Sequence, residues 1–192
     1  MILEVVKYGH PVLRQKGARI ESVNASIKKL IADMFETMYA AKGVGLAAQQ
    51  VGQALQLTII DVRGITDRPS TLERDGKPAD VHNFMPLVLI NPEVKPAGEA
   101  VAAAEGCLSF PEIFTEISRP QFADVKALNQ KGKHIEFHCG GLLARAVQHE
   151  ADHLNGILFI DRMASATKRE FKPQLEELQA ATKAGLQQAK TK

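Results

Sequence analysis

The chain has 192 residues, 45% of them hydrophobic and 24% charged, with a formal net charge of +2. That length suits one domain with a core of its own plus a tail, and no apolar run reaches the roughly 20 residues that a membrane-spanning helix needs. So small a charge, with aromatic residues at 5% and no Trp, argues against DNA as a partner and confines any RNA contact to a local patch.

The first residues, Met1 to Lys7, lack a basic leader, a long apolar stretch and a small-residue cleavage site, so a cytoplasmic protein is expected. After the turn-like Tyr8-Gly9-His10-Pro11, apolar residues at Ile27, Leu30, Ile31, Met34, Phe35 and Met38 follow helical spacing. They predict a helix of about four turns, capped by Asn24 or Ser26 and stopped just before Gly43. Gly43-Val44-Gly45-Leu46-Ala47-Ala48-Gln49-Gln50-Val51-Gly52 comes next. Its small residues would admit a substrate backbone, and the Gln50 carboxamide can donate to a developing oxyanion. A helix stop followed by a Gly/Ala loop accounts for the same residues.

Leu55 to Val62 reads as a buried strand. The polar stretch from Arg63 to Pro86 reads as a surface excursion with a short hairpin tipped at Asp75-Gly76. Leu87 to Ile90 resumes a strand that Asn91-Pro92 should end, and Glu99 to Ala104 is strand-like again. Asp124 to Leu128 and His134 to His138 alternate around Asn129-Gln130-Lys131-Gly132, which predicts a hairpin. Ile135 and Phe137 mark its core side, leaving His134 and His138 to solvent. Gly140-Gly141 opens a further helix that Asn155-Gly156 closes, and Ile157 to Ile160 reads as a short strand. From Ser165 to Lys192 a helix is expected, with Phe171, Leu175, Leu178 and Ala181 as its apolar stripe, fraying over residues 190–192.

The chemistry concentrates in Gln148-His149-Glu150-Ala151-Asp152-His153. Two imidazoles four residues apart share one helix face and can point at one metal ion, with Glu150 beside it to act on water. A catalytic metal wants three protein ligands and one open position. Cys107, in Glu105-Gly106-Cys107-Leu108-Ser109, is the candidate third ligand, and Cys139 is given no role. A zinc peptidase would instead recruit Glu170, Glu176 or Glu177 from downstream.

Taken together, GVGLAAQQVG, EGCLS and QHEADHLNG, in that order, resemble the three signature motifs of the peptide deformylases, from the N-terminal helix to about Met163. The resemblance implies an α+β fold in which antiparallel or mixed sheets pack around a central HExxH-bearing helix, with an N-terminal and a C-terminal helix. It implies a catalytic domain over 1–164 and a helical tail over 165–192. It makes Cys107, His149 and His153 the metal ligands, Glu150 the acid/base, and Gln50 with the Leu108 backbone N–H the oxyanion donors. Glu105 would pair with a downstream arginine, for which Arg119 is the candidate.

The implied reaction removes the formyl group from the N-terminal formylmethionine of new polypeptides and releases formate. Fe2+ is the metal implied in the cell, with Zn2+, Ni2+ or Co2+ able to replace it. Substrate contacts are expected from Gly43, Val44, Gly45, Leu46, Glu105, Gly106, Leu142 and Ala146, with Val44, Leu108, Leu142 and Ala146 as candidate walls for the methionine side chain. The peptide backbone would pair with Val44 to Leu46 as an added strand. The C-terminal helix, with Lys168, Arg169, Lys172 and Lys183, can dock on the ribosome by the same resemblance.

Overall fold

The N-terminal helix starts where the sequence says it can. In the computed structural model, which describes residues 1–190, α1 spans Ala25–Ala40 and the Asn24 side chain accepts a hydrogen bond from the Ile27 N–H. Asn24, and not Ser26, is therefore the cap that satisfies an otherwise orphaned donor. Ile31, Met34 and Met38 of α1 bury against Leu46, Leu57, Ile59, Val88 and Ile90.

The strands follow as β1 Gly45–Ala47, β2 Leu57–Ile60, β3 Ser70–Arg74, β4 Lys77–Pro78, β5 Leu87–Cys107, β6 Phe110–Leu128 and β7 His134–Gly140. A one-turn helix α2, Val81–Phe84, separates β4 from β5, and Gln50 lies on a 3-10 turn, Ala48–Val51, after β1. They form one seven-stranded sheet in the order β1-β2-β5-β6-β7-β3-β4. Among the described residues every strand pair is antiparallel, and the one parallel contact is an isolated bridge between Ala18 and Leu55. The excursion contains the expected hairpin: Asp75 and Gly76 both take positive φ, 52° and 69°, the pattern of a tight two-residue connection.

Three expectations are corrected. Asn91-Pro92 does not end a strand; β5 runs on to Cys107 through a register shift between Ile90 and Glu93. Asn91 takes φ +51°, a conformation Asn tolerates, and its side chain pairs with both the N–H and the carbonyl of Ile20. Pro92 then falls within the irregularity, where its missing N–H breaks no ladder bond.

Ile157 to Ile160 is not a strand. Leu158, Phe159 and Ile160 are buried by side-chain packing beside a 3-10 turn, Phe159–Asp161, and the Asp161 carboxylate accepts from the Leu158 N–H. The tail is two helices, α4 Ser165–Glu170 and α5 Lys172–Lys190, divided just before Pro173, which cannot continue a preceding helix. Ala181 is exposed, and the packed stripe runs Phe171, Leu175, Leu178 instead. Of the fraying expected at 190–192, residues 191–192 lie outside the described residues.

Helix α3, Gly141–Leu154, packs against β1, β2, β3, β5, β6 and β7. It divides a cluster built on Leu72, Val125, Phe137 and Leu143 from one built on Leu13, Phe110, Phe159 and Leu175. Unusually for a helix so enclosed, Arg145, Gln148, His149, Glu150, Asp152 and His153 are all buried. Buried polar groups are costly unless partnered, so their contacts govern what the helix is for.

Two left-handed glycines separate conformational strain from steric fit. Gly76, φ +69°, has open space where a Cβ would go, whereas at Gly156, φ +71°, a Cβ would sit 2.5 Å from the Arg14 carbonyl oxygen. Gly76→Ala should lower unfolding free energy by about 1 kcal/mol and Gly156→Ala by about 2 to 4 kcal/mol, read from urea midpoints.

Candidate active site

Cys107 ends β5, and Leu108-Ser109 form the turn into β6. Side chains alternate along a strand, so Glu105 and Cys107 share a face. That face meets the C-terminal half of α3, where the His149 and His153 rings lie one turn apart, edge to face, with centroids 5.1 Å apart. The thiol sulfur and one nitrogen from each imidazole lie within 4.8 Å of one another, the only such His/Cys/Asp/Glu grouping among the described residues.

This donor set fits a divalent ion. A tetrahedral ion about 2.0 Å from nitrogen and about 2.3 Å from sulfur needs those atoms about 3.5 Å apart; Cys107 Sγ and His153 Nε2 stand 3.3 Å apart. His149 Nδ1 meets Glu105 Oε2 at 3.0 Å, so its proton is held on the outer nitrogen and Nε2 is left to bind. Burial, reinforced by His149, pushes His153 well down from the ordinary imidazole range, which keeps the ring neutral. For His149, hydrogen bonds with Cys107 and Glu105 outweigh burial and raise it.

Glu105 is the support beneath this group. Burial acts to raise its carboxyl, but hydrogen bonds from His149 and Arg119 override that and hold it at about 2. Arg119 Nε and Nη2 donate to its two oxygens at 2.6 and 3.1 Å, and Arg145 Nη1 donates at 2.8 Å. Arg119 is thus a buried partner and not a surface arginine; its Nη1 reaches Asp152 at 2.8 Å, which also accepts from Arg162.

Glu150 has the opposite environment. Its carboxyl is raised to about 7 by burial, with the His149 charge and the Thr58 hydroxyl opposing. The Thr58 hydroxyl lies 3.4 Å from Oε2 and also 3.0 Å from the Leu46 carbonyl. Facing it across the site is Gly45, whose Cβ position lies 2.3 Å from Glu150 Oε1. Gln50 completes the rim: its Oε1 accepts from the Ala47 N–H at 2.9 Å, so its Nε2 faces Cys107 Sγ at 3.5 Å and Ser109 Oγ at 3.4 Å. The Leu108 N–H has no acceptor among the described residues, and the Leu108 side chain lies over Gly43.

Of the other expected contact residues, Val44 is partly buried and its carbonyl accepts from the Asp61 N–H. The Leu46 side chain is in the core. Gly106 lies under the Phe114 ring. Leu142 and Ala146 are buried beside Leu72 and Phe137. His138 pairs with Asp124 at the surface, and Cys139 is buried with its thiol pushed up to about 12, so it is inert. Two cavities, of about 410 and 370 Å³, are lined by neither Cys107, His149 nor Glu150.

The profile of the family described as Polypeptide deformylase matches residues 2–169. The chain belongs to that family. A peptide deformylase of Methylacidiphilum infernorum is 46% identical over 178 residues, covering 93% of both chains. The crystal structure of a peptide deformylase from Legionella pneumophila is 33% identical, covers 94% of this chain and 97% of its own, and superposes with a TM-score of 0.77. A peptide deformylase from Synechococcus elongatus, in complex with actinonin, is 35% identical with a TM-score of 0.74 and covers 94% of this chain and 85% of its own.

This deformylase-family chain is therefore a hydrolase that removes the formyl group from the N-terminus of new polypeptides, and the family implies a divalent metal. Its α+β fold with an antiparallel sheet is that of the deformylase structures. Sequence reasoning missed Thr58, Ser109, Arg145 and the Asp152–Arg162 pair. A lone Thr in the apolar run of β2 was a signal; the others are exposed only by long-range pairing.

The close approach at Gly45 gives a sharp test. Gly45→Ala should displace the Glu150 carboxylate and, if that carboxylate takes part in the reaction, cut formate release at least about tenfold, as ångström-scale misplacement of a reacting group does. Metal content and unfolding midpoint should stay near those of the parent protein.

Proposed function

We propose that Cys107, His149 and His153 hold one divalent ion, that Glu150 is the acid/base, and that Gln50 Nε2 with the Leu108 N–H receives the oxyanion when formylmethionyl peptides are hydrolysed. The observation that carries this reading is convergence: one thiol and two imidazoles meet, with a carboxyl near neutral pKa and an oriented carboxamide beside them. Such an ion, when bound, supplies Lewis acidity that brings water toward a neutral pKa and polarises a carbonyl. Fe2+ is the ion proposed for the cell, with Zn2+, Ni2+ or Co2+ able to replace it.

In the reaction, water adds to the formyl carbon as Glu150 takes one of its protons; a base with a pKa near 7 is matched to that task. Negative charge then grows on the formyl oxygen, which Gln50 Nε2 and the Leu108 N–H receive without reorganising. Glu150 passes the proton to the departing amine, the C–N bond breaks, and formate leaves. Glu105 holds His149 in register throughout.

The substrate backbone adds to the outer edge of β1, the terminal strand of the sheet, whose other edge pairs with β2. Gly43 and Gly45 admit it closely, Val44 and Leu46 contribute backbone groups, and Glu105 and Gly106 contribute backbone on the opposite side. The methionine side chain enters a slot bounded by Val44, Leu108, Leu142 and Ala146. Residues 1–164 form the catalytic domain and 165–192 its tail, of which Phe171, Leu175 and Leu178 pack on the domain, with Lys168, Arg169 and Lys172 on the side offered to the ribosome. No described helix is long and apolar enough to cross a membrane, in keeping with work in the cytoplasm on nascent chains.

The test is anaerobic formate release from formyl-Met-Ala with metal measured on the same samples. Gln50→Ala should lose about 10²- to 10³-fold in kcat, and Glu150→Gln should retain its metal while losing nearly all turnover. Cys107→Ser should lose or weaken metal binding; a Cys107→Ser protein that binds metal as the parent does would favour a peptidase-like ligand set and sink this assignment.

A further inference from the structure

The two oxyanion donors lie on separate turns that are held together from outside the site. Three consecutive residues of the N-terminal segment do this: the Val6 N–H donates to the Gln50 carbonyl at 2.9 Å, Lys7 Nζ to the Leu108 carbonyl at 2.8 Å, and the Tyr8 N–H to the Ser109 carbonyl at 2.9 Å. Val6 and Tyr8 act through backbone groups that any residue would supply. Lys7 acts through its side chain, across 101 residues of sequence. It is partly buried, and its ammonium has no carboxylate partner among the described residues. A lysine normally stays hydrated on a flexible stem, so ordering one against a single main-chain carbonyl needs a return.

The return is at Leu108. Its carbonyl and its N–H lie on either side of one Cα in a two-residue turn, so anchoring the carbonyl restricts rotation and fixes where the N–H points. The Ser109 carbonyl and hydroxyl are already tied, to Tyr8 and Gln50; the Leu108 carbonyl has Lys7. A cation beside this turn also adds positive potential where an oxyanion develops, and a partly dry site screens it weakly.

We propose that Lys7 is a positioning residue for deformylation, holding the Leu108 peptide so that its N–H is aimed at the developing oxyanion. This rests on the oxyanion role proposed above for Leu108. Its signature is a loss in kcat and not in substrate binding, because the interaction is strongest in the transition state.

The experiment compares Lys7→Met and Lys7→Arg with the parent protein by formate release from formyl-Met-Ala, metal content, unfolding midpoint and hydrogen exchange of the Val6 and Tyr8 amides, which bond the two turns. The expected result for Lys7→Met is kcat down about tenfold with KM within about twofold, unchanged metal content and midpoint, and faster exchange at Tyr8, whose N–H donates to the Ser109 carbonyl. Lys7→Arg, which keeps a cationic donor, should recover most of the lost kcat. A Lys7→Met protein with parental kcat overturns the proposal, as does a loss of kcat that tracks loss of metal or of fold and that Lys7→Arg fails to rescue. If the parent protein itself releases no formate, the deformylase reading falls along with this one.

Discussion

A buried carboxylate, Glu105, carries the architecture of the site. It accepts hydrogen bonds from His149, Arg119 and Arg145, and these bring β5, β6 and α3 to one point. Taking a charge out of water is unfavourable by several kcal/mol, and only close, fully satisfied partners offset it. Here the offset is complete enough to keep the group ionised down to about 2. The geometric result is that His149 is held on its outer nitrogen while Cys107, two residues along the same strand face, projects beside it. Removing Glu105 would leave two guanidinium groups buried without that partner, a loss on the order of 3 to 5 kcal/mol. The same hub therefore serves stability and the orientation of His149 at once.

The second buried glutamate shows what that support is worth by contrast. Glu105 and Glu150 are the same side chain, both nearly excluded from solvent, yet one sits at about 2 and the other at about 7. The difference lies in donors: two guanidinium groups and an imidazole surround Glu105, whereas Glu150 has one hydroxyl that also serves the Leu46 carbonyl. Environment alone thus sorts the pair into a permanent anchor and a group able to take and return a proton near neutral pH. Neither assignment needs a special residue type.

Much of this was legible in the sequence because its signals are local. The i, i+4 spacing of His149 and His153, the Asn24 cap and the Asp75-Gly76 hairpin each depend on a few adjacent residues. What could not be read depends on residues far apart in the chain. Asn91-Pro92 looks like a stop until Ile20 is there to satisfy the Asn91 side chain. Leu158 to Ile160 looks like a strand because burial alone makes a residue apolar, whether or not a strand lies beside it. Arg145 carries no local signal, and only the fold brings it to Glu105. The meeting of Cys107 with His149 and His153 was expected from chemistry and from the order of three motifs, since no periodicity links Cys107 to α3.

The tail bears on the site more directly than its place in the sequence suggests. The family profile ends at residue 169, yet Leu175 and Leu178 of α5 pack with Phe110, the first residue after the Leu108-Ser109 turn, and with Tyr8. The Tyr8 ring stacks on Phe110 at 4.9 Å, and at Gly9 a Cβ would lie 2.9 Å from the Gln179 carbonyl oxygen of α5. The N-terminal segment is thereby enclosed between α5 and the turn that holds the Leu108 N–H. A helix over which no chemistry is written therefore packs on the segment whose residues 6 to 8 bond the Gln50 and Leu108-Ser109 turns, so α5 belongs to the scaffold of the site.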